Sequence, residues 1–173
     1  MNKLLFSFII IAVFASCSDE KKVDHNNLYF ANNFDDMRGW IQNDKIIKGK
    51  AHSGKYYSKT DSINLFSFAF NMGIGNLTQK TLKKADVTLW ANVKDEKYAG
   101  SIVTSINRGD STIFWDSSNL KFFYKKTGEW FEAKATFNYP SKVRKTDIVK
   151  IYLWNSNGKS EIDMDDIEIQ FYE

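Results

Sequence analysis

The chain is poor in the residues on which most enzyme and metal sites depend. Its 173 residues include one cysteine, one proline and two histidines, His25 and His52. A single cysteine excludes an intrachain disulfide and a cysteine-rich zinc site. No Ser/His/Asp set and no phosphate-cradling glycine loop is visible. We therefore expect a protein that is not an enzyme and has no catalytic residues. A glycosidase-type carboxylate pair stays open, because sequence cannot show two acids flanking one bond.

The chain also has no block of like charge. It carries 24 basic and 21 acidic residues, a formal net charge of +3. The two signs are interspersed, and the basic clusters Lys83-Lys84 and Lys125-Lys126 are only pairs. This distribution is typical of a solvated surface and does not predict nucleic-acid binding.

Residues 1–16 have the pattern of a targeting segment. The apolar run Leu4 to Phe14 is broken only by Ser7, and it has the length of a signal-peptide core rather than of a membrane span. Cys17 follows it directly. This arrangement resembles the lipobox of bacterial lipoproteins, which implies that Cys17 is lipidated and becomes the mature N-terminus. The alternative is a secreted protein with a chance cysteine near the cleavage site.

The polar residues 17–27 predict a flexible tether. Within them, Ser18-Asp19-Glu20 resembles the export signal of surface-exposed lipoproteins in some Gram-negative bacteria. The resemblance implies a lipid-anchored protein of the outer membrane or cell surface. In the alternative, these residues form only a solvated tether, and the domain faces the periplasm.

Residues 28–173 have the pattern of one all-β domain. Aromatic residues make up 16% of the chain, and short alternating runs are separated by turn residues. About ten strands and no amphipathic helix are predicted, which calls for a sandwich or barrel. In the run Leu65 to Phe70, the alternation predicts a strand with Phe66, Phe68 and Phe70 facing the core.

The last two runs carry the strongest local signals. In the strand after Asp147, alternation places Val149, Ile151 and Leu153 on the core face. Asn157-Gly158 then predicts a hairpin to the next run, because both residues tolerate positive φ. The apolar positions of that last run change parity at Asp165-Asp166, which predicts a bulge.

Six motifs occur in a characteristic order: 34–35, 49–56, 87–90, 130–140, 151–155 and 162–167. Together they resemble the galactose-binding-like jelly roll of many carbohydrate-binding modules, which implies a β-sandwich of two antiparallel sheets. The resemblance also implies a structural calcium ion held by Asp35 and Asp165, with carbonyls from the 49–54 loop. The alternative is that both acids hydrogen-bond the loop.

Several aromatic side chains are predicted to point away from the core. Exposed indole and phenol rings suit the apolar C–H faces of sugars, while nearby polar groups satisfy the hydroxyls. The predicted ligand-binding residues are Trp90, Asn92, Trp115, Lys150, Tyr152 and Trp154. In the alternative, loops cover these rings. The resulting expectation is a glycan-binding module, with a structural lipoprotein that docks onto another envelope protein as the alternative.

Overall fold

The computed structural model describes residues 28–36 and 45–173. The predicted signal segment, Cys17 and the tether lie outside this part of the chain. No helix in the described ranges is long and apolar enough to cross a membrane. Besides strands, the described residues form one short helix, α1 (Ile74–Leu77), and a 3-10 turn at Leu120–Phe122. The strands are β1 (Tyr29–Asn32), β2 (Ile46–Lys48), β3 (Tyr56–Thr60), β4 (Phe70–Gly73), β5 (Lys84–Val93), β6 (Gly100–Arg108), β7 (Ser111–Asn119), β8 (Trp130–Asn138), β9 (Ile148–Asn155) and β10 (Ile162–Tyr172).

The strands form two antiparallel sheets, as the sequence predicted. Sheet A has the order β2-β3-β10-β5-β8, and β1 also pairs with β10. Sheet B has the order β4-β9-β6-β7. The predicted fold class, a jelly-roll sandwich, is therefore confirmed.

The core lies between the sheets and follows the predicted alternation. Val87 and Leu89 of β5, and Val149, Ile151 and Leu153 of β9, are at most 1% exposed. Because side chains of a strand alternate between its two faces, the residues between these positions point outward from each sheet.

The predicted hairpin at Asn157-Gly158 is wrong. Gly158 does adopt positive φ (59°), but β9 belongs to sheet B and β10 to sheet A. The connection crosses from one sheet to the other. Hydrogen bonds to the segment before β6 hold this connection. The side-chain amide of Asn157 donates to the carbonyl of Lys97, and the backbone N–H of Ser156 donates to the carbonyl of Ala99.

The prediction for Phe66 is also wrong. Phe68 and Phe70 are buried, but Phe66 is 45% exposed. The alternation fails at Ser67, where the hydroxyl accepts a hydrogen bond from Leu153 N–H and the Ser67 N–H donates to the carbonyl of Leu153. This local pairing turns Phe66 onto the outer face of sheet B, where it forms an isolated bridge with Trp154.

The predicted bulge in β10 is present. Its register with β5 shifts between Asp165 and Glu168, and Asp166 has positive φ (45°). On its other edge, β10 pairs with β3 before the bulge and with β1 after it. The bulge therefore lies where the neighbouring strand changes.

Candidate functional site

The structure divides the six predicted ligand-binding residues between two sheets. Trp90 and Asn92 lie on β5 in sheet A. Trp115 lies on β7, and Lys150, Tyr152 and Trp154 lie on β9, all in sheet B. The four residues of sheet B share its outer face. Lys150, Tyr152 and Trp154 alternate with the core residues of β9, and Trp115 pairs with Ser105, which points outward from β6.

We define the bare face as the outer surface of sheet B formed by Phe66, Trp115, Lys150, Tyr152 and Trp154. Phe66 and Trp115 are 45% and 47% exposed. The Trp115 and Trp154 ring centroids are 6.0 Å apart and edge-to-face, whereas Phe66 and Trp154 are stacked at 6.4 Å. Such aromatic pairs hold one another in place, so the face is a fixed row of rings.

The strand between the rings explains how they come together. Strand β6 runs between β7 and β9, and its outward residues Val103 and Ser105 are small and buried. Ser105 pairs with Trp115 on one side and with Lys150 on the other. Short side chains in the central strand leave a shallow channel between the larger ones on each side.

That channel continues as a groove of about 320 Å³. Apart from Ala69, the described residues lining it are aromatic, polar or basic: Lys45, Phe66, Ser67, Ser105, Asn107, Thr112, Trp115, Lys150 and Tyr152. The groove thus combines ring surfaces with hydroxyl, amide and amine groups, a composition that suits small ligands.

Trp90 has different surroundings. The His52 ring stacks on it with centroids 3.7 Å apart and a 12° interplanar angle. His52 belongs to the 49–54 loop, and its Nδ1 lies 2.6 Å from Asp166 Oδ2. Trp130 meets the same histidine edge-on. These contacts join the 49–54 loop to Trp90, Trp130, Asp165 and Asp166 beside the β10 bulge. The loop therefore packs on the Trp90 ring through His52, but Trp90 stays partly exposed and lines a separate pocket of about 550 Å³ with Asn32 and Asp166.

Asn92 is also engaged within the fold. It is 4% exposed, and its side-chain amide donates to the carbonyl of Gly128, 3.1 Å away. The turn containing Gly128 lies over this end of β5. Asn92 and Trp90 are therefore separated from the groove of sheet B by the thickness of the sandwich.

The two predicted calcium ligands both hold the loop that leads into β3. Asp165 accepts hydrogen bonds from the N–H groups of His52 (2.8 Å) and Ser53 (3.0 Å). Asp35 accepts one from Lys55 N–H at 2.9 Å. A Cβ at Gly54 would lie 2.0 Å from Asp35 Oδ2, so this close approach requires glycine.

These contacts fit the hydrogen-bonding alternative better than a calcium site. Calcium needs six to eight oxygen ligands, but both carboxylates face N–H donors. Among the described residues, no group of three or more acidic, histidine or cysteine side chains is placed to hold a metal ion. Calcium binding at Asp35 and Asp165 stays a prediction.

Two fully buried acids differ in their partners and in the direction of their pKa shift. Asp165 is fully buried, and desolvation raises its pKa to about 6 despite its backbone hydrogen bonds. Asp147, before β9, is equally buried but forms a two-pronged ion pair with Arg108, which lowers its pKa. Neither group lines the groove.

Sequence reasoning predicted only Trp115, Lys150 and Tyr152 among the residues that line the groove, and its two largest omissions are Phe66 and Lys45. Phe66 was assigned to the core because its alternation matches that of Phe68 and Phe70. Lys45 was not singled out. No local signal in the sequence distinguishes either residue, because their positions depend on a bridge to β9 and on strand order.

Solved structures of carbohydrate-binding modules share this architecture. The second xylan-binding CBM22 domain of Paenibacillus barcinonensis Xyn10C is 15% identical, with a TM-score of 0.55 over 83% of this chain and 99% of that one. The first CBM22 domain of the same protein is 12% identical, with a TM-score of 0.51 over 82% of this chain and 92% of that one. The fold is the galactose-binding-like jelly roll. No protein-family model matches the chain, and no curated protein matches it either.

Proposed function

We propose that this domain is a non-catalytic carbohydrate-binding module that holds its ligand on the bare face. The observation that carries the proposal is the row formed by Phe66, Trp154 and Trp115, whose outer members are 45% and 47% exposed. Large aromatic rings that stay exposed in a fixed arrangement are costly for a soluble protein unless a ligand covers them. Their flat apolar surfaces match the C–H faces of sugar rings.

The groove beside the rings supplies the polar part of the site. Ser105, Asn107 and Lys150 line it, and they offer hydroxyl, amide and amine groups to sugar hydroxyls. A protein partner would need a broader contact area to form a stable interface. The small size of this groove therefore favours a glycan over an envelope protein.

The fold is consistent with the proposal without deciding it. Both CBM22 domains are titled xylan-binding, but one fold can serve many functions. For this chain the argument rests on the bare face, and the identity of the sugar does not follow from the neighbours.

We further propose that the domain acts at the cell envelope of a Gram-negative bacterium, anchored through an acylated Cys17. The support is the signal-like segment before this cysteine and the polar tether after it. Each buried methylene of an acyl chain contributes about 0.8 kcal/mol, so a multiply acylated cysteine anchors firmly. Replacing Cys17 with serine should move the protein from the membrane fraction to the soluble fraction.

A glycan array probed with the chain lacking its predicted signal segment tests the binding function. We expect binding to at least one polysaccharide, weakened about tenfold or more by Trp154→Ala or Trp115→Ala. Trp90→Ala is the matched control, because this tryptophan lies in the other sheet under His52. It should lower thermal stability and leave binding unchanged.

Two results would contradict the proposal. Binding that survives both Trp154→Ala and Trp115→Ala would remove the site. A correctly folded domain that binds no glycan would favour the alternative, in which the bare face docks onto another envelope protein.

A further inference from the structure

Basic side chains line the groove of sheet B. Two lysines, Lys45 and Lys150, line it, and the described residues of its lining include no carboxylate. The chain as a whole is nearly balanced, with 24 basic and 21 acidic residues. The presence of lysines without carboxylates in the lining is therefore a local property of the groove and not a reflection of the overall composition.

Lys150 differs in its partners from three lysines on the longer strands of sheet A. Lys59, Lys84 and Lys134 each pair with a carboxylate at 2.8–2.9 Å: Glu161, Asp86 and Glu132. Lys150 lies on an inner strand of sheet B and is partly buried. It forms no ion pair with any acid in the described ranges.

Lys150 lies close enough to the rings to contact a charged substituent of a ligand that stacks on them. Lys150 and Trp115 flank Ser105 on neighbouring strands. Strands lie about 4.8 Å apart, so the two backbone positions are separated by about 10 Å across β6. On β9, Lys150 and Tyr152 are successive outward residues. A ligand lying against the rings would place a neighbouring group within reach of the lysine amine.

A lysine amine that has no acidic partner in the protein favours an anionic ligand group. Hydrogen bonds with both partners charged are shorter and stronger than neutral ones. A sugar hydroxyl would satisfy the amine only as a neutral acceptor. A carboxylate or sulfate would satisfy its charge as well.

We propose that the ligand of the bare face is an acidic glycan, whose carboxylate or sulfate group pairs with Lys150. This inference rests on the proposed carbohydrate-binding function and narrows it to one chemical class. Lys150 is a specificity-determining residue in this scheme, while the rings supply binding common to neutral and acidic sugars.

The test compares matched polysaccharides on the mature protein. The probes are polygalacturonate with its methyl ester, a sulfated galactan with its desulfated form, and neutral xylan. We expect one acidic member to bind at least about tenfold more tightly than its neutral counterpart. The carboxylate and sulfate arms distinguish the two sources of charge. The preference should shrink as ionic strength rises, because salt screens partly exposed charges.

Variants separate this inference from the proposed function. Lys150→Gln should remove most of the preference for the acidic member while keeping residual binding to the neutral one. Lys134→Gln, a lysine of the opposite sheet that pairs with Glu132, should keep the preference. Trp154→Ala should weaken all binding.

Each outcome has one reading. Equal binding of matched acidic and neutral probes, or a preference that survives Lys150→Gln, would overturn the acidic-glycan inference and leave the carbohydrate-binding function standing. Absence of binding to every probe, neutral xylan included, would overturn the inference and count against the function as well.

Discussion

The outer faces of the two sheets are built from the same alternation but present different surfaces. On sheet A, His52 of the 49–54 loop packs on Trp90, and Lys59, Lys84 and Lys134 each have an acidic partner. On sheet B, Trp115 is nearly half exposed, and Lys150 lines a groove without an acidic partner among the described residues. The difference shows that an outward-pointing indole becomes a surface only where no loop folds back over it.

The bulge in β10 is the physical origin of this difference. It lies where β10 exchanges β3 for β1 as its neighbour, which leaves a gap in the edge pairing. Asp165 and Asp166 fill the gap and capture the 49–54 loop through His52 and Ser53. The strands of sheet B have no such acidic capture point, so their aromatics stay accessible.

The largest predicted effect is loss of the captured loop. Asp165→Ala would leave the N–H groups of His52, Ser53 and Asp166 without their acceptor. An unsatisfied buried donor costs about 1–3 kcal/mol, and because these donors are only partly buried we expect the free energy of unfolding to fall by about 2–3 kcal/mol in total. Urea denaturation measures it, with Glu132→Ala as an exposed control. Unchanged stability would show that the loop does not depend on the bulge.

The second effect is a pH dependence of stability. Asp165 has a folded pKa of about 6, above its usual value. The folded state therefore binds a proton more tightly than the unfolded state, and this contribution to stability is full below about pH 4 and is lost as pH rises through about 6. We expect a loss of about 2 kcal/mol over this range. Denaturation at several pH values measures it, and Asp165→Asn should flatten the curve.

Asp147 provides the opposite sign within the same molecule. Its pKa is lowered by Arg108, so its contribution is present at neutral pH and lost as pH falls through the lowered value. Arg108→Ala should therefore reduce stability at neutral pH while leaving the loss near pH 6 in place. If the loss near pH 6 vanished in Arg108→Ala, the assignment to Asp165 would be contradicted.

A smaller effect separates the tryptophans of the two faces. Trp90→Ala removes the ring under His52, and we expect a loss of about 2 kcal/mol, below that of a full core residue. Trp115→Ala removes a ring that is 47% exposed, and we expect a loss below about 1 kcal/mol. Thermal denaturation of the two variants makes the comparison. Equal losses would mean that Trp115 is part of the framework.

The smallest predicted effect concerns calcium. If Asp35 and Asp165 serve only the N–H donors that they already accept, a chelator should leave the melting temperature unchanged. An ion bound to the native state must stabilise it. A melting temperature that falls on chelation and recovers with added calcium would establish the metal site after all.

Much of the fold could be predicted from local patterns. The alternation of Val149, Ile151 and Leu153 identified the core face, and the parity change at Asp165-Asp166 identified the bulge. Both signals are local, since side chains of a strand alternate with period two. The hairpin at Asn157-Gly158 failed because a turn signal reports backbone conformation and not which sheet the next strand joins.

The candidate site could be predicted only in part. Trp115, Lys150, Tyr152 and Trp154 were named and do share a face, but Trp90 and Asn92 were grouped with them although they belong to the other sheet. Outward parity is the same for all six residues, and parity contains no information about sheet membership.

By itself, the amino-acid sequence determined that this domain consists of antiparallel strands, which residues of each strand enter the core, and where β10 bends. These properties follow from the two-residue alternation of side chains along a strand and from the backbone conformations of a few residues. The tertiary structure alone decided which indoles stay exposed and that Lys150 lines a groove beside them, because both depend on strand order and on where loops distant in the sequence are held.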